Sequence, residues 1–165
     1  MTNFNALLTR IEKFVVNTLL LLVTFILFTN VILRLMGNSL QWAEEFARYG
    51  IVWVTFIGSS ICVYKGAHIG VDAITMILNK KAKQVLALMT IVISIVFIVI
   101  FIRQSYLITL RAFETGQISS TLKVSMIYIY GAMPVGGVLT LFRLIQEFVK
   151  QLKDMNSKTE EVKHQ

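Results

Sequence analysis

The sequence predicts an all-α integral membrane protein with four transmembrane helices, and two observations lead to that fold class. First, 56% of the 165 residues are hydrophobic and only 15% are charged, whereas soluble proteins are about 45–50% apolar and about 25% charged. Second, the apolar residues fall into separate runs of about 20 residues, the length that crosses a bilayer as a helix. The chain has a single cysteine, Cys62, which excludes an internal disulfide. We expect one membrane domain over residues 1–165.

Four apolar runs define the predicted helices. Because hydrocarbon contains no water, each run must satisfy its own backbone hydrogen bonds and is therefore helical. The third run is the most uniformly apolar, whereas the second and fourth contain more Gly, Ser and Tyr, which favours contact with other helices. The predicted spans are residues 14–35, 46–64, 85–103 and 124–142.

Apolar residues at helical spacing also flank the outermost spans. Residues 4–15 and 144–152 repeat apolar side chains every three or four positions, which predicts amphipathic interfacial segments or simple extensions of the spans. Residues 156–165 are polar and are predicted to form a mobile cytoplasmic tail. Most lysines and arginines lie before the first span, between the second and third, and after the fourth. The positive-inside rule therefore places both termini in the cytoplasm.

Charged residues are absent from the middle of the four runs, and this argues against several functions. A proton-coupled carrier needs a carboxylate within a span, and a voltage sensor needs repeated arginines. Arg34 and Arg103 lie at span ends, where a long side chain reaches the interface. We therefore expect neither a stand-alone pump nor a voltage sensor.

Few residues could support catalysis or metal binding. His68 and Asp72 are four positions apart and would share one face of a helix, but two ligands do not make a metal site. The sequence has no phosphate-binding loop and no paired nucleophile and base, so we predict no enzyme activity and no cofactor. Lysines and arginines beside the spans orient the chain in the membrane and attract anionic lipids, which explains the excess of positive charge. We therefore expect no nucleic-acid partner.

The most polar stretch precedes the second span. Asn38 and Gln41 have the spacing of a helix N-cap with its reciprocal side chain, and Glu44 and Arg48 have the spacing of a helical ion pair. We predict that Arg48 turns towards the protein interior and pairs with Glu44 or with an acid on another chain. Glu45, one position further round the helix, is then predicted to face outward.

The fourth span contains a proline among glycines. Proline removes a backbone donor and clashes with the preceding turn, and neighbouring helices in a membrane can compensate for this. We therefore predict a local kink or a close helix contact around Gly131, Pro134, Gly136 and Gly137.

Several of these residues form motifs. The first is Trp42-x-Glu44-Glu45-x-x-Arg48, continuing to Trp53, Phe56 and Gly58; the second is Gly66-x-His68-Ile69-x-Val71-Asp72; the third is Gly116-Gln117 with Tyr130-x-x-x-Pro134-x-Gly136. From about residue 12 to residue 146 the chain thereby resembles the small, DctQ-type membrane subunit of tripartite ATP-independent periplasmic (TRAP) transporters. It departs from that family in the outer loop, where Ser119-Ser120-Thr121 stands in place of the prolines common there.

The resemblance implies a scaffold subunit of a sodium-coupled importer of organic acids in the bacterial inner membrane. Its partners would be a large permease subunit and a periplasmic substrate-binding protein. C4-dicarboxylates, sialic acid and related carboxylated sugars all stay open as substrates. The alternative from a different class is a self-sufficient, homo-oligomeric small carrier or channel. The candidate subunit-interface or structural residues are Trp42, Glu44, Glu45, Arg48, Trp53, Gly58, His68, Asp72 and Pro134.

Overall fold

A computed structural model describes residues 2–64 and 80–163. Its elements are α1 (Thr2–Leu35), α2 (Gln41–Tyr64), α3 (Lys80–Glu114), the short α4 (Ile127–Tyr130) and α5 (Ala132–Lys163). Within these residues, four stretches are long and apolar enough to cross a membrane, and the prediction of an all-α membrane protein with four spans is confirmed. These stretches are Asn5–Leu35, Gln41–Tyr64, Val85–Glu114 and Ile127–Lys153.

The helices are longer than the apolar runs that predicted them. Helix α1 already begins at Thr2, so the amphipathic start of the chain continues directly into the first span. Helix α5 continues to Lys163 and includes most of the segment assigned to a mobile tail, whose mobility stays a prediction. Residues 124–126, assigned to the fourth span, instead precede α4 in a loop where Ile118 and Ser125 form an antiparallel bridge.

The long helices pack side by side. Helix α2 contacts α1 and α5, and α5 contacts α2 and α3, so the order in space is α1, α2, α5, α3. Only 11% of the most apolar window of α1 and of α3 is buried, against 28% in α2 and 39% in the fourth span. The glycine-, serine- and tyrosine-rich spans therefore occupy the middle of the row, as their composition predicted.

Two adjacent glycines bring α5 close to both of its neighbours. A Cβ on Gly136 would lie 2.5 Å from the Cβ of Phe56 and 2.7 Å from its carbonyl oxygen. On Gly137, a Cβ would lie 2.8 Å from Cγ1 of Ile102. The ring of Phe56 also stacks on that of Phe101, with centroids 5.6 Å apart. The close helix contact predicted for the fourth span is present.

The same span is interrupted before Pro134. Helix α4 ends at Tyr130 and α5 begins at Ala132, because a proline four residues after Tyr130 cannot donate to its carbonyl. Gly131 keeps a right-handed helical backbone, with φ −59° and ψ −24°. Pro134 thus lies in the first turn of α5. The backbone N–H groups of a first turn have no acceptor within their own helix, so a proline there removes no hydrogen bond of α5.

The connection between α1 and α2 is fixed by backbone and side-chain hydrogen bonds. Gly37, with φ 81°, ends α1 in a Schellman motif in which the amide of Asn38 donates to the carbonyl of Leu33 at 2.9 Å. The predicted N-cap at Asn38 is wrong, because α2 begins only at Gln41. The buried Asn30 instead accepts the amide of Leu40 at 2.7 Å, which satisfies a donor at the start of α2.

We predict that Gly136→Ala destabilises the protein by about 1–3 kcal/mol, the usual cost of overpacking a tight contact. Gly58→Ala is the matched control, because no atom lies within 4 Å of a Cβ at that position. Thermal unfolding of the two purified variants in one detergent measures the difference. Equal melting temperatures would show that the backbones of α2 and α5 separate at little cost.

Candidate functional site

Among the described residues, two carboxylates are buried, and they lie near opposite ends of α2: Glu12 contacts Ser60 near its end, and Glu45 lies near its beginning. Glu12 on α1 is 3% exposed and Glu45 on α2 is 8% exposed. A buried charge is stable only when it is paired and hydrogen-bonded. The partners of each carboxylate therefore show which elements it connects.

Glu12 forms a buried ion pair with Arg143 of α5. Nη2 of Arg143 donates to Oε2 of Glu12 at 3.0 Å and to the hydroxyl of Thr9 at 2.9 Å. The other carboxylate oxygen accepts the hydroxyl of Ser60 at 2.9 Å, and the ring of Tyr64 lies 4.4 Å from the guanidinium carbon. One charge pair thus connects α1, α2 and α5.

Sequence reasoning missed this pair. It counted Arg143 among the basic residues that set topology, and it did not single out Glu12. Two features of the sequence could have indicated the pair: Glu12 follows Thr9 by three positions on one helix face, and each charged residue stands next to an apolar span on the same predicted side of the membrane.

Glu45 holds the loop between α3 and α4. Its Oε2 accepts the backbone amides of Thr121 at 2.8 Å and Leu122 at 2.9 Å. Its Oε1 accepts the hydroxyl of Tyr49 and, at 3.4 Å, that of Ser120. The expectation that Glu45 faces outward is therefore wrong, because the carboxylate supplies the acceptors that this loop needs.

The Glu45 side of α2 continues with one contact to this loop and one to α4. Tyr49 and Trp53 follow Glu45 at intervals of four residues, so all three share one face of the helix. The hydroxyl of Tyr49 lies 3.8 Å from the sulfur of Met126, and Nε1 of Trp53 donates to the carbonyl of Tyr128 at 3.1 Å. Trp53 is therefore a structural contact between α2 and α4.

A second face of α2 has no partner helix in the described part of the chain. Glu44 and Arg48 are both exposed on it, and no ion pair joins them there. Arg48 does not turn into the interior of this chain, so that expectation is wrong, while pairing with an acid on another chain stays a prediction. We call this surface the exposed α2 face; it consists of Glu44, Arg48, Ile51, Thr55, Gly58 and Cys62.

The remaining candidate residues lie apart from one another. Trp42 is 38% exposed and meets Phe46 edge-on, with ring centroids 6.4 Å apart. Pro134 is half-buried at the helix interruption. His68 and Asp72 lie outside the described residues. Within residues 2–64 and 80–163, no three His, Cys, Asp or Glu side chains group as a metal site requires.

We predict that Arg143→Met destabilises the protein by roughly 3–5 kcal/mol, because the substitution leaves the Glu12 charge buried without its partner. The double variant Glu12→Leu/Arg143→Met should recover most of that loss. Glu147→Gln is the control, since the side chain of its partner Lys150 is 67% exposed and a solvated pair of this kind contributes at most about 1 kcal/mol. Chemical denaturation in detergent measures all three; a double variant no more stable than Arg143→Met would argue against an unpaired charge as the cause.

We also predict that Glu45→Gln loosens the loop between α3 and α4, because an amide offers only one acceptor oxygen where the carboxylate offers two. Hydrogen exchange at the amides of Thr121 and Leu122 should become faster. The neighbouring substitution Glu44→Gln removes the same charge from the exposed face and should leave both amides unchanged. Unchanged exchange in Glu45→Gln would mean that the loop is held by other contacts.

Comparison with known proteins identifies the family to which these features belong. The family model described as "Tripartite ATP-independent periplasmic transporters, DctQ component" matches residues 23–154. That range contains the Glu45 loop contacts, the exposed α2 face and Arg143, and it ends within α5.

Individual relatives agree with the family match. The chain is 29% identical to the sialic acid TRAP transporter permease protein SiaT of Haemophilus influenzae over 140 residues, which are 83% of this chain but 22% of that protein. It is 27% identical to the C4-dicarboxylate TRAP transporter small permease protein DctQ of Vibrio cholerae, covering 82% of this chain and 68% of the relative. The corresponding protein of Rhodobacter capsulatus is 27% identical over 68% of this chain and 49% of its own length. The chain thus spans about a fifth of SiaT and about half of the Rhodobacter protein. Because the family model covers most of its length, the chain belongs to the DctQ component family of the tripartite ATP-independent periplasmic transporters.

Proposed function

We propose that this chain is the non-catalytic scaffold subunit of a TRAP importer and packs against a large permease subunit in the bacterial inner membrane. The names of the Vibrio and Rhodobacter relatives, small permease proteins, support this role. The match to only 22% of SiaT supports it as well. In that relative, a region like this chain is continuous with a much longer polypeptide.

One observation carries the proposal: both buried carboxylates of the described chain are held in fixed contacts. Glu12 is paired with Arg143, and Glu45 accepts two backbone amides of a loop. A carboxylate that couples transport must release and regain an ion or a proton, and intramembrane charges usually mark such pathways. Here the two charges join helices and loops, as a rigid supporting subunit requires.

The exposed α2 face is the surface that we assign to the large permease subunit. Arg48 has no acidic partner among the residues that the structure describes. An arginine at a helix centre costs about 2.5–3.5 kcal/mol in lipid, less near the interface. Gly58 lies on the same face, where a Cβ would meet no atom. A small residue at an open position permits close approach of another helix, so this face combines an unpaired charge with room for a neighbour.

The importer would take up an organic acid with the sodium gradient, supplied by a periplasmic substrate-binding protein. The relatives are named for sialic acid and for C4-dicarboxylates, and both substrate classes are proposed here. With both termini in the cytoplasm, the loop held by Glu45 would lie on the periplasmic side. A scaffold subunit leaves the choice of substrate to its partners, so exchanging it for a relative should not change substrate preference.

Purification of the tagged chain from its native membrane tests the proposal. A much larger membrane protein should co-purify with it, and vesicles that contain this chain alone should transport neither sialic acid nor C4-dicarboxylates. The full complex in vesicles is the positive control. Sodium-dependent transport by the chain alone would instead establish a self-sufficient homo-oligomeric carrier.

We predict that Arg48→Ala weakens assembly with the large subunit more than Arg103→Ala does. Both side chains are exposed on this chain, but Arg103 lies on α3, where reaching the lipid headgroups explains its position. The measurement is the fraction of large subunit that co-purifies with each variant, at equal amounts of the tagged chain. A larger loss in Arg103→Ala would assign the partner contact to α3 instead of α2.

A further inference from the structure

A pocket of about 660 Å³ opens beside the Glu12–Arg143 pair. It lies where α1 begins and α2 ends. It is lined by Asn5 of α1, Tyr64 of α2 and a longer series of residues on α5. Arg143 and Tyr64, which also belong to the cluster around Glu12, are among its lining residues. Its lining divides into a polar and an apolar part, and the two parts are neighbouring stripes of α5.

The polar part contains several hydrogen-bond donors and one acid, Glu147. Gln146, Lys150 and Lys153 follow Arg143 at three, seven and ten positions, so they share its side of the helix. Lys150 lies 3.7 Å from Glu147, whereas no ion pair is present for Lys153 in the described part of the chain. A cationic ammonium thus faces the same space as the amide of Gln146, whose Nε2 donates one of its two N–H groups to Oδ1 of Asn5 at 2.9 Å.

Arg143 itself contributes further unpaired donors next to this stripe. Only its Nη2 reaches Glu12 and Thr9. Its Nε and Nη1 are buried without a hydrogen-bond acceptor among the described residues. Buried donors of a guanidinium are almost always satisfied in proteins, so an acceptor placed next to Arg143, such as the oxygen of an anion, would be stabilising.

The apolar part indicates what kind of anion fits. Ile145 and Val149 line the same pocket and are 48% and 46% exposed. Each lies one position before a polar lining residue, so apolar surface and donors are adjacent along two turns of α5. A small free anion would use only the donors, whereas a phospholipid would use both stripes.

We propose that this pocket binds an anionic phospholipid, with its phosphate at Gln146, Lys150 and Lys153 and its acyl chains along Ile145 and Val149. Basic pockets between transmembrane helices bind lipid headgroups in this way. The bound lipid would cover the end of the pair between α1 and α5 and supply an acceptor close to Arg143. This site is independent of the proposed permease contact, which lies on α2.

The test titrates phosphatidylglycerol into the purified full-length chain in detergent and counts bound lipids by native mass spectrometry. Lys150→Gln/Lys153→Gln should weaken binding by about tenfold or more, an effect typical of two lysines at an anionic headgroup. Arg10→Gln/Lys13→Gln is the matched control: it removes the same charge from exposed positions at the same end of α1, outside the pocket. It should leave binding within about twofold of the unmodified chain, since charge contributes most at the headgroup itself.

Two further titrations separate a lipid from a free phosphate. Soluble glycerol 3-phosphate, which has no acyl chains, should neither bind at the same concentration nor displace phosphatidylglycerol. Phosphatidylcholine, which carries no net charge, should bind more weakly than phosphatidylglycerol. Equal weakening by the two double variants would overturn the site in favour of general charge attraction. Binding of glycerol 3-phosphate as tight as that of the lipid would overturn the lipid as its occupant.

Discussion

The buried ion pair between Glu12 and Arg143 determines how the first helix is held in this protein. Helix α1 packs only against α2 in the described row, and α5 packs between α2 and α3. The long side chains of Arg143 and Gln146 reach from α5 to α1, where they meet Glu12, Thr9 and Asn5. Because both charges of the pair are buried, separating α1 from α5 would leave each charge without its partner. The ion pair therefore holds the two helices together although their backbones are not in contact.

The opposite end of the protein applies the same principle to a loop. The carboxylate of Glu45 accepts amides of the connection between α3 and α4, while Tyr49 and Trp53 extend the contact along α2. Between the two polar ends, the middle of the row is held by close apolar packing, as at Gly136 and Phe56. The directional interactions thus lie at both ends of the helices, and close packing of apolar side chains lies between them.

Helix α2 occupies the central position in this arrangement and has three different environments. One side contacts α1, where Gly50 leaves room for Val23. Another contacts α5 and the loop between α3 and α4. The third, the exposed α2 face, carries a charged pair of residues that do not bind each other. In a family of multi-component transporters, a helix that is fixed on two sides and open on the third can present a constant surface to a partner. The fixed carboxylates of the ends are consistent with that supporting role.

The sequence by itself determined the number of spans, the fold class and the family, because these depend on hydrophobic length and on motifs that are local in the chain. It also determined which spans lie inside the row, since glycine and serine content decides how closely helices can approach. It could not determine which of two adjacent acids is buried: Glu44 and Glu45 differ by one helical step, and only the position of the loop at residues 120–122 selects Glu45. Nor could it pair Glu12 with Arg143, which are 131 positions apart. Such choices depend on how each helix is rotated against its neighbours, and that rotation is set by the packing of the whole row.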